Sequence, residues 1–393
     1  VSYTVFREPD AGRSRPGLLR RLVRDKRVLA AGVTVVVAAA AVYLVGPAAD
    51  PKPSNAATVL AGASTPAAQP QPLSGLAAAS ATPTVPATPS ASATAKIPAT
   101  GWIPVDHAAW KAEVDAYNAL KTDPVPAGVG NLAEFRADCL YSHSLADDPI
   151  VAPGIPGASH MHTFIGNAAV NADTVAEDLT TFTATTCKPV LDHSSYWVPT
   201  LYDNATGKPV QPTGFRVYYR SLTNNSAGQM PMPTGLRMIS GDSRKKVPTP
   251  RGATGQFYCA FYGPGDLDGV ARSTNGNWPI CGGTATLHFM LQFPDCWDGQ
   301  HLDSPNHKDH VSYGVNNTCP PSHPVKIPAI TFDIQYGVKG TPEGYFLSSD
   351  PEGKSASSMH GDAFVMWDVA TMNKRTKDCI LQRRTCDDNG YQK

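Results

Sequence analysis

The sequence predicts a mainly β fold: an antiparallel, β-sandwich-like domain with long loops and a few helices, preceded by one transmembrane helix. Three observations carry this. The C-terminal two thirds hold short segments in which apolar and polar residues alternate, separated by long loops rich in Gly, Pro and Asn. No succession of strands alternating with helices is present, which argues against a parallel α/β sheet. An uncharged apolar stretch of eighteen residues follows a basic N-terminal tail.

Residues 1–27 carry Arg7, Arg13, Arg15, Arg20, Arg21, Arg24, Lys26 and Arg27 against Glu8, Asp10 and Asp25. The stretch VLAAGVTVVVAAAAVYLV, residues 28–45, makes a helix about 27 Å long, close to a hydrocarbon core. Positive charge stays inside, so the expectation is a spanning helix over 28–46, with a cytoplasmic tail and an extracellular remainder. The rival reading is a cleaved signal peptide ending at Gly46-Pro47-Ala48. Residues 47–100 are almost pure Ala, Pro, Ser and Thr and predict a disordered tether, since nothing in them can bury enough apolar area to offset backbone entropy. The whole chain is formally neutral, yet beyond residue 27 acidic residues outnumber basic ones, 30 to 25. That balance argues against nucleic acid as a partner, because phosphate binding needs a basic footprint.

Residues 101–393 form the candidate extracellular domain and contain all eight cysteines. No C-x-x-C pair is present, so four disulfides are expected rather than a cysteine metal site, with neighbouring cysteines paired in sequence. One helix opens the domain. Asp106 caps it, Trp110, Val114 and Tyr117 share a face, and Asp123-Pro124 ends it. Strands follow at 215–220, 236–240, 256–262, 285–293 and 330–336. In ATLHFMLQF (285–293) Leu287, Phe289, Leu291 and Phe293 share one face, and in ITFDIQY (330–336) Ile330, Phe332, Ile334 and Tyr336 do the same.

No G-x-S-x-G, H-E-x-x-H, P-loop or dinucleotide motif is present, and GDLDG (265–269) lacks the later ligands of an EF-hand. What stands out is histidine and aspartate in three places. His160 and His162 form an H-x-H pair, whose imidazoles share a face on an extended strand and can converge on one ion. FPDCWDGQHLDSPNHKDHV (293–311) holds Asp298, His301, Asp303, His307 and His310, with Trp297 as a stacking surface for a sugar ring. Ser358-Met359-His360-Gly361-Asp362 is the third. The plain alternative is that these side chains only satisfy backbone groups in irregular loops.

The segments DPIVAPGIPGASHMHTFIGN (148–167), SSYWVPTLYD (194–203), GLRMISGD (235–242), FPDCWDGQHLDSPNHKDHVSY (293–313), CPPSHPVKIP (319–328) and SSMHGDAFVMWD (357–368) together resemble an uncharacterised domain-of-unknown-function family shared by actinobacteria and secreted fungal proteins. The resemblance spans about 132–386. It implies that His160, His162, Trp297, Asp298, Asp303, His307, His310, His323 and His360-Gly361-Asp362 belong to the family's motifs. His301 is left out, because fungal relatives usually carry Asn there. Carbohydrate-binding modules attached to some fungal members imply a glycan target. No activity carries over.

Three functional readings stand open. The first is a membrane-anchored, extracellular hydrolase acting on polysaccharide or cell wall, with Asp298, Asp303 and Asp362 as catalytic carboxylates and Trp297, Trp197 or Trp367 against sugar. The second is a site for zinc or another transition metal on His160, His162, His307, His310 and His360. The third is a non-catalytic glycan-binding or structural wall module. If one site exists, the three His/Asp clusters meet in one cleft at the edge of the sheets.

Overall fold

The computed structural model describes residues 99–122, 133–222, 226–248, 254–260, 278–316, 318–384 and 386–387. The expected spanning helix at 28–46, the tail before it and nearly all of the 47–100 tether lie outside them. Among the described residues no helix is long and apolar enough to cross a membrane. The longest has thirteen residues, about 20 Å, and carries Lys111, Glu113 and Asp115. The expected transmembrane helix, membrane partner and single-pass, membrane-anchored location therefore find no support among the described residues.

The mainly antiparallel β character stands. In chain order the principal strands are β1 (Glu134–Cys139), β2 (Tyr141–Leu145), β3 (His162–Gly166), β4 (Ser195–Pro199), β5 (Gly214–Arg220), β6 (Arg237–Gly241), β7 (Gly255–Ala260), β8 (Thr286–Gln292), β9 (Ala329–Gln335) and β10 (His360–Phe364). They form two five-stranded sheets, β1-β5-β9-β8-β7 and β2-β3-β4-β10-β6. Every pairing is antiparallel. In the first sheet the period-two pattern does what it predicts. Phe215, Val217 and Tyr219 of β5 are buried between half-exposed neighbours, as are Phe135, Ala137 and Cys139 of β1. These inner side chains meet those of the second sheet: the Tyr196 ring lies against Phe215 and Phe332, and Tyr196 Oη sits 2.6 Å from Tyr219 Oη.

The second sheet is built differently. Strands β3, β4 and β10 are buried along their whole length. One face packs on the first sheet. The other is covered in part by the long segment between β2 and β4, where Phe164, Trp197, Phe364 and Met366 join Ile150, Val170 and Leu179 in a smaller core of their own. The opening helix, α1 (His107–Ala119), is capped by the Asp106 carboxylate, which accepts from the Ala108 and Ala109 amides; it ends at Leu120, and Asp123-Pro124 lies outside the described residues. All eight cysteines pair with their sequence neighbours: Cys139–Cys187, Cys259–Cys281, Cys296–Cys319 and Cys379–Cys386.

Candidate metal centre

On β10 side chains alternate between faces, and the triplet His360-Gly361-Asp362 uses that alternation fully. Gly361 turns inward, where an added Cβ would sit 2.7 Å from Leu291 Cδ2 and 2.9 Å from Phe332 Cε2 of the facing sheet. His360 and Asp362 therefore turn to the other face. Asp362 pairs across the ladder with Trp197 of β4, and His162 opens β3 opposite Pro199. His160, two residues before His162, completes the group. Ring centroids are 4.2 Å apart for His160 and His162, 5.0 Å for His160 and His360, and 5.9 Å for His162 and His360.

Two sets of ligand atoms, one each from His160, His162 and His360 and one each from Asp148, His162 and Asp362, lie within 4.8 Å of one another and have the spacing to hold a metal ion. His162 belongs to both. Its Nδ1 lies 2.8 Å from the Asp147 carbonyl and that of His360 2.8 Å from the Ser358 carbonyl. A carbonyl only accepts, so each Nδ1 carries the proton and each Nε2 keeps its lone pair. The segment that supplies Asp147 and Asp148 is pinned through its own carboxylates: Asp147 accepts from Gly157 N and Ala172 N, Asp148 from Ile150 N and Val151 N.

The electrostatics of the group are unusual for a packed interior. The Nε2 atoms of His160 and His162 and both carboxylate oxygens of Asp362 are buried without a hydrogen-bond partner among the described residues. Burial pushes the His160 imidazole down to about 4 and that of His360 to about 3, and it pushes His162 well below the ordinary range with help from the two neighbouring imidazoles. The same burial, reinforced by Asp148, pushes Asp362 well above the usual carboxylate range, and burial raises Asp148 as well. Neutral imidazoles with free lone pairs beside unpaired carboxyls are groups that a cation satisfies. The His160 ring is the one partly exposed member, so the group is reached from its side.

The second cluster forms a separate network rather than part of the same ligand set. Asp303 is fully buried, accepts from Ser304 N, lies 3.5 Å from Arg237 Nη1 and holds His307 Nδ1 at 3.0 and 3.2 Å. His310 spends both ring nitrogens, Nε2 on the Arg237 carbonyl and Nδ1 on Ser304 Oγ. Asp298 closes its own turn by accepting from Gln300 N and His301 N, with its second oxygen 2.6 Å from His301 Nδ1. His323 lies between Ser322 Oγ and the Asp309 carbonyl. Thus the structure brings His160 and His360 to His162 in one triad and Asp362 to it in the other, and leaves Asp298, Asp303, His307 and His310 outside both. Trp297, expected against a sugar ring, is fully buried, donates to the His301 carbonyl and packs edge-on against Trp110. Trp197 and Trp367 are buried too, so none of the three presents a face for stacking.

Asp148 is the functional candidate that motif reading missed. It stands in the quoted segment 148–167, but an Asp before Pro reads as a turn residue, and only folding brings it to Asp362 across more than two hundred residues. One further group of possible ligands, Cys139, Cys187 and Asp192, is no metal site, because the two thiols are joined in a disulfide. Comparison with characterised proteins and with solved structures produced no match. The ordered motifs have a firmer counterpart: residues 148–367, more than half of the chain and including every member of the cluster, match the family described as Domain of unknown function (DUF1996), and the chain belongs to that family.

Proposed function

We propose that this domain binds a divalent first-row transition ion, zinc being the reference ion, through His160, His162 and His360, with Asp362 as the carboxylate ligand and Asp148 beside it. Imidazole nitrogen with carboxylate oxygen is a donor set that suits zinc, copper, iron and nickel rather than magnesium or calcium. The observation that carries this reading is the pairing of tautomer locks with orphaned acceptors. His162 and His360 have Nδ1 tied back to main-chain carbonyls, while His162 Nε2, His160 Nε2 and both Asp362 oxygens have no partner among the described residues. Bonds of about 2.0–2.2 Å require ligand atoms no more than about 4.4 Å apart, so each triad, with its ligand atoms within 4.8 Å, closes with small side-chain rotations.

Purified protein, stripped with chelator and dialysed against zinc, is expected to retain one equivalent by elemental mass spectrometry. His162→Ala and His360→Ala should each weaken that affinity by more than about 100-fold, beyond the range typical of changes behind the first coordination shell. Asp303→Asn should leave it within about tenfold. Equal zinc retention in the wild type and the two histidine variants would sink the proposal.

A further inference from the structure

We infer that the turn at 304–308 is an anion clamp for this centre, so that its ligand carries an oxyanion group, a phosphate or a carboxylate, held by Lys308 Nζ as well as by the ion. The inference rests on the metal reading and adds the chemistry of what approaches it.

Lys308 is exposed, yet its ammonium is anchored in one place, donating to the Gly241 carbonyl at 2.8 Å, and among the described residues it forms no ion pair. Gly241 in turn lies against His360. A Cβ added to it would sit 2.7 Å from His360 Cα, and its φ of +91° belongs to the left-handed region that glycine tolerates. An uncompensated positive charge is therefore held next to one of the three imidazoles.

His307 helps to fix the turn that carries Lys308. Its backbone is left-handed at φ +58°, uncommon for a residue with a side chain, and the ring is fixed by the Asp303 carboxylate on Nδ1. Ser304 N and Arg237 hold Asp303 from behind. The turn is stiff, since Asn306 Oδ1 accepts from both Lys308 N and Asp309 N. A neutral hydroxyl ligand gains little from such a charge, whereas an oxyanion bound to the ion gains a charge-assisted hydrogen bond from Lys308.

The test uses zinc-loaded protein whose metal content is measured before any anion is added. Inorganic phosphate and glucuronate are titrated calorimetrically into wild type, Lys308→Met and Lys308→Arg, and into metal-free wild type. At least one anion should bind saturably to the zinc form, about tenfold or more weaker to Lys308→Met at unchanged zinc content, with recovery in Lys308→Arg. Which anion binds tells a phosphate source from a carboxylate source. No saturable binding of either anion to zinc-loaded protein, or binding indifferent to Lys308, overturns the clamp. Failure of wild type to take up zinc overturns the metal reading, and the clamp with it. If Lys308 only ties the turn to β6, Lys308→Met lowers the unfolding temperature and leaves anion binding unchanged, which also overturns it.

Discussion

A buried carboxyl shows most sharply how single residues balance here. Asp192 is fully buried, accepts from Ser194 N and Tyr196 Oη, and stands at the end of a chain of donors in which Trp367 Nε1 gives to Tyr219, whose hydroxyl meets that of Tyr196. Burial pushes its carboxyl up to about 7 from 3.8, outweighing the donors that favour the anion. Between those values the folded protein keeps a proton that the unfolded chain has released. The unfolded state then binds fewer protons, so this group's contribution is present below about pH 4 and lost as pH rises through about 7. Asp192→Asn, which carries no charge to desolvate, should lose less stability than wild type between about pH 4.5 and 7.5 in denaturant titrations. Identical losses would show that Asp192 ionises in the fold as it does in the unfolded chain. At the metal cluster the sequence made His160, His162, His360 and Asp362 visible through residue type and short spacing. It hid the partners that give these residues meaning, since a main-chain carbonyl on Nδ1 leaves no mark in a motif.

Strand β10 explains why His, Gly and Asp stand together. The outer residues face the cluster and the middle one has no room for a side chain. Gly361→Ala should therefore lower stability by about 1–3 kcal/mol, the usual cost of overpacking a filled core, read from urea unfolding. It should also weaken zinc retention, because relief of the contact with Leu291 and Phe332 displaces the strand that carries two ligands. A variant as stable as wild type would mean that the sheets separate freely at this point. The same strand shows where pattern reading stops. β5, β8 and β9 alternate because one face meets the core and the other is polar, and the sequence expectation found all three. β3, β4 and β10 are buried on both faces, so period two vanishes from HTFIG, SYWVP and HGDAF, and these are the strands that build the candidate site.

Across the whole molecule the described domain is held by two facing sheets and four cross-links of very different reach. Cys139–Cys187 spans 48 residues and Cys379–Cys386 only 7. Chain entropy alone assigns about 4 kcal/mol to the first and about 2.4 kcal/mol to the second. Replacing the first pair by serine should accordingly lower stability more than replacing the second, measured by chemical denaturation. The reverse order would show that packing at the C-terminal turn, not loop closure, dominates. Zinc should stabilise the domain as a whole, by about 2.7 kcal/mol at a concentration one hundred times its dissociation constant. The sequence by itself determined the antiparallel β character, the presence of four disulfides, the helix cap at Asp106 and the family, because alternation, cysteine parity, capping and ordered motifs are local properties of the chain. Tertiary structure decided which histidines and carboxylates share one cluster. It set Asp303, His307 and His310 apart from His160, His162 and His360, buried Trp297, and brought Asp148 to Asp362. Those outcomes depend on sheet order and on the pairing of strands far apart in sequence, and neither spacing nor composition encodes them.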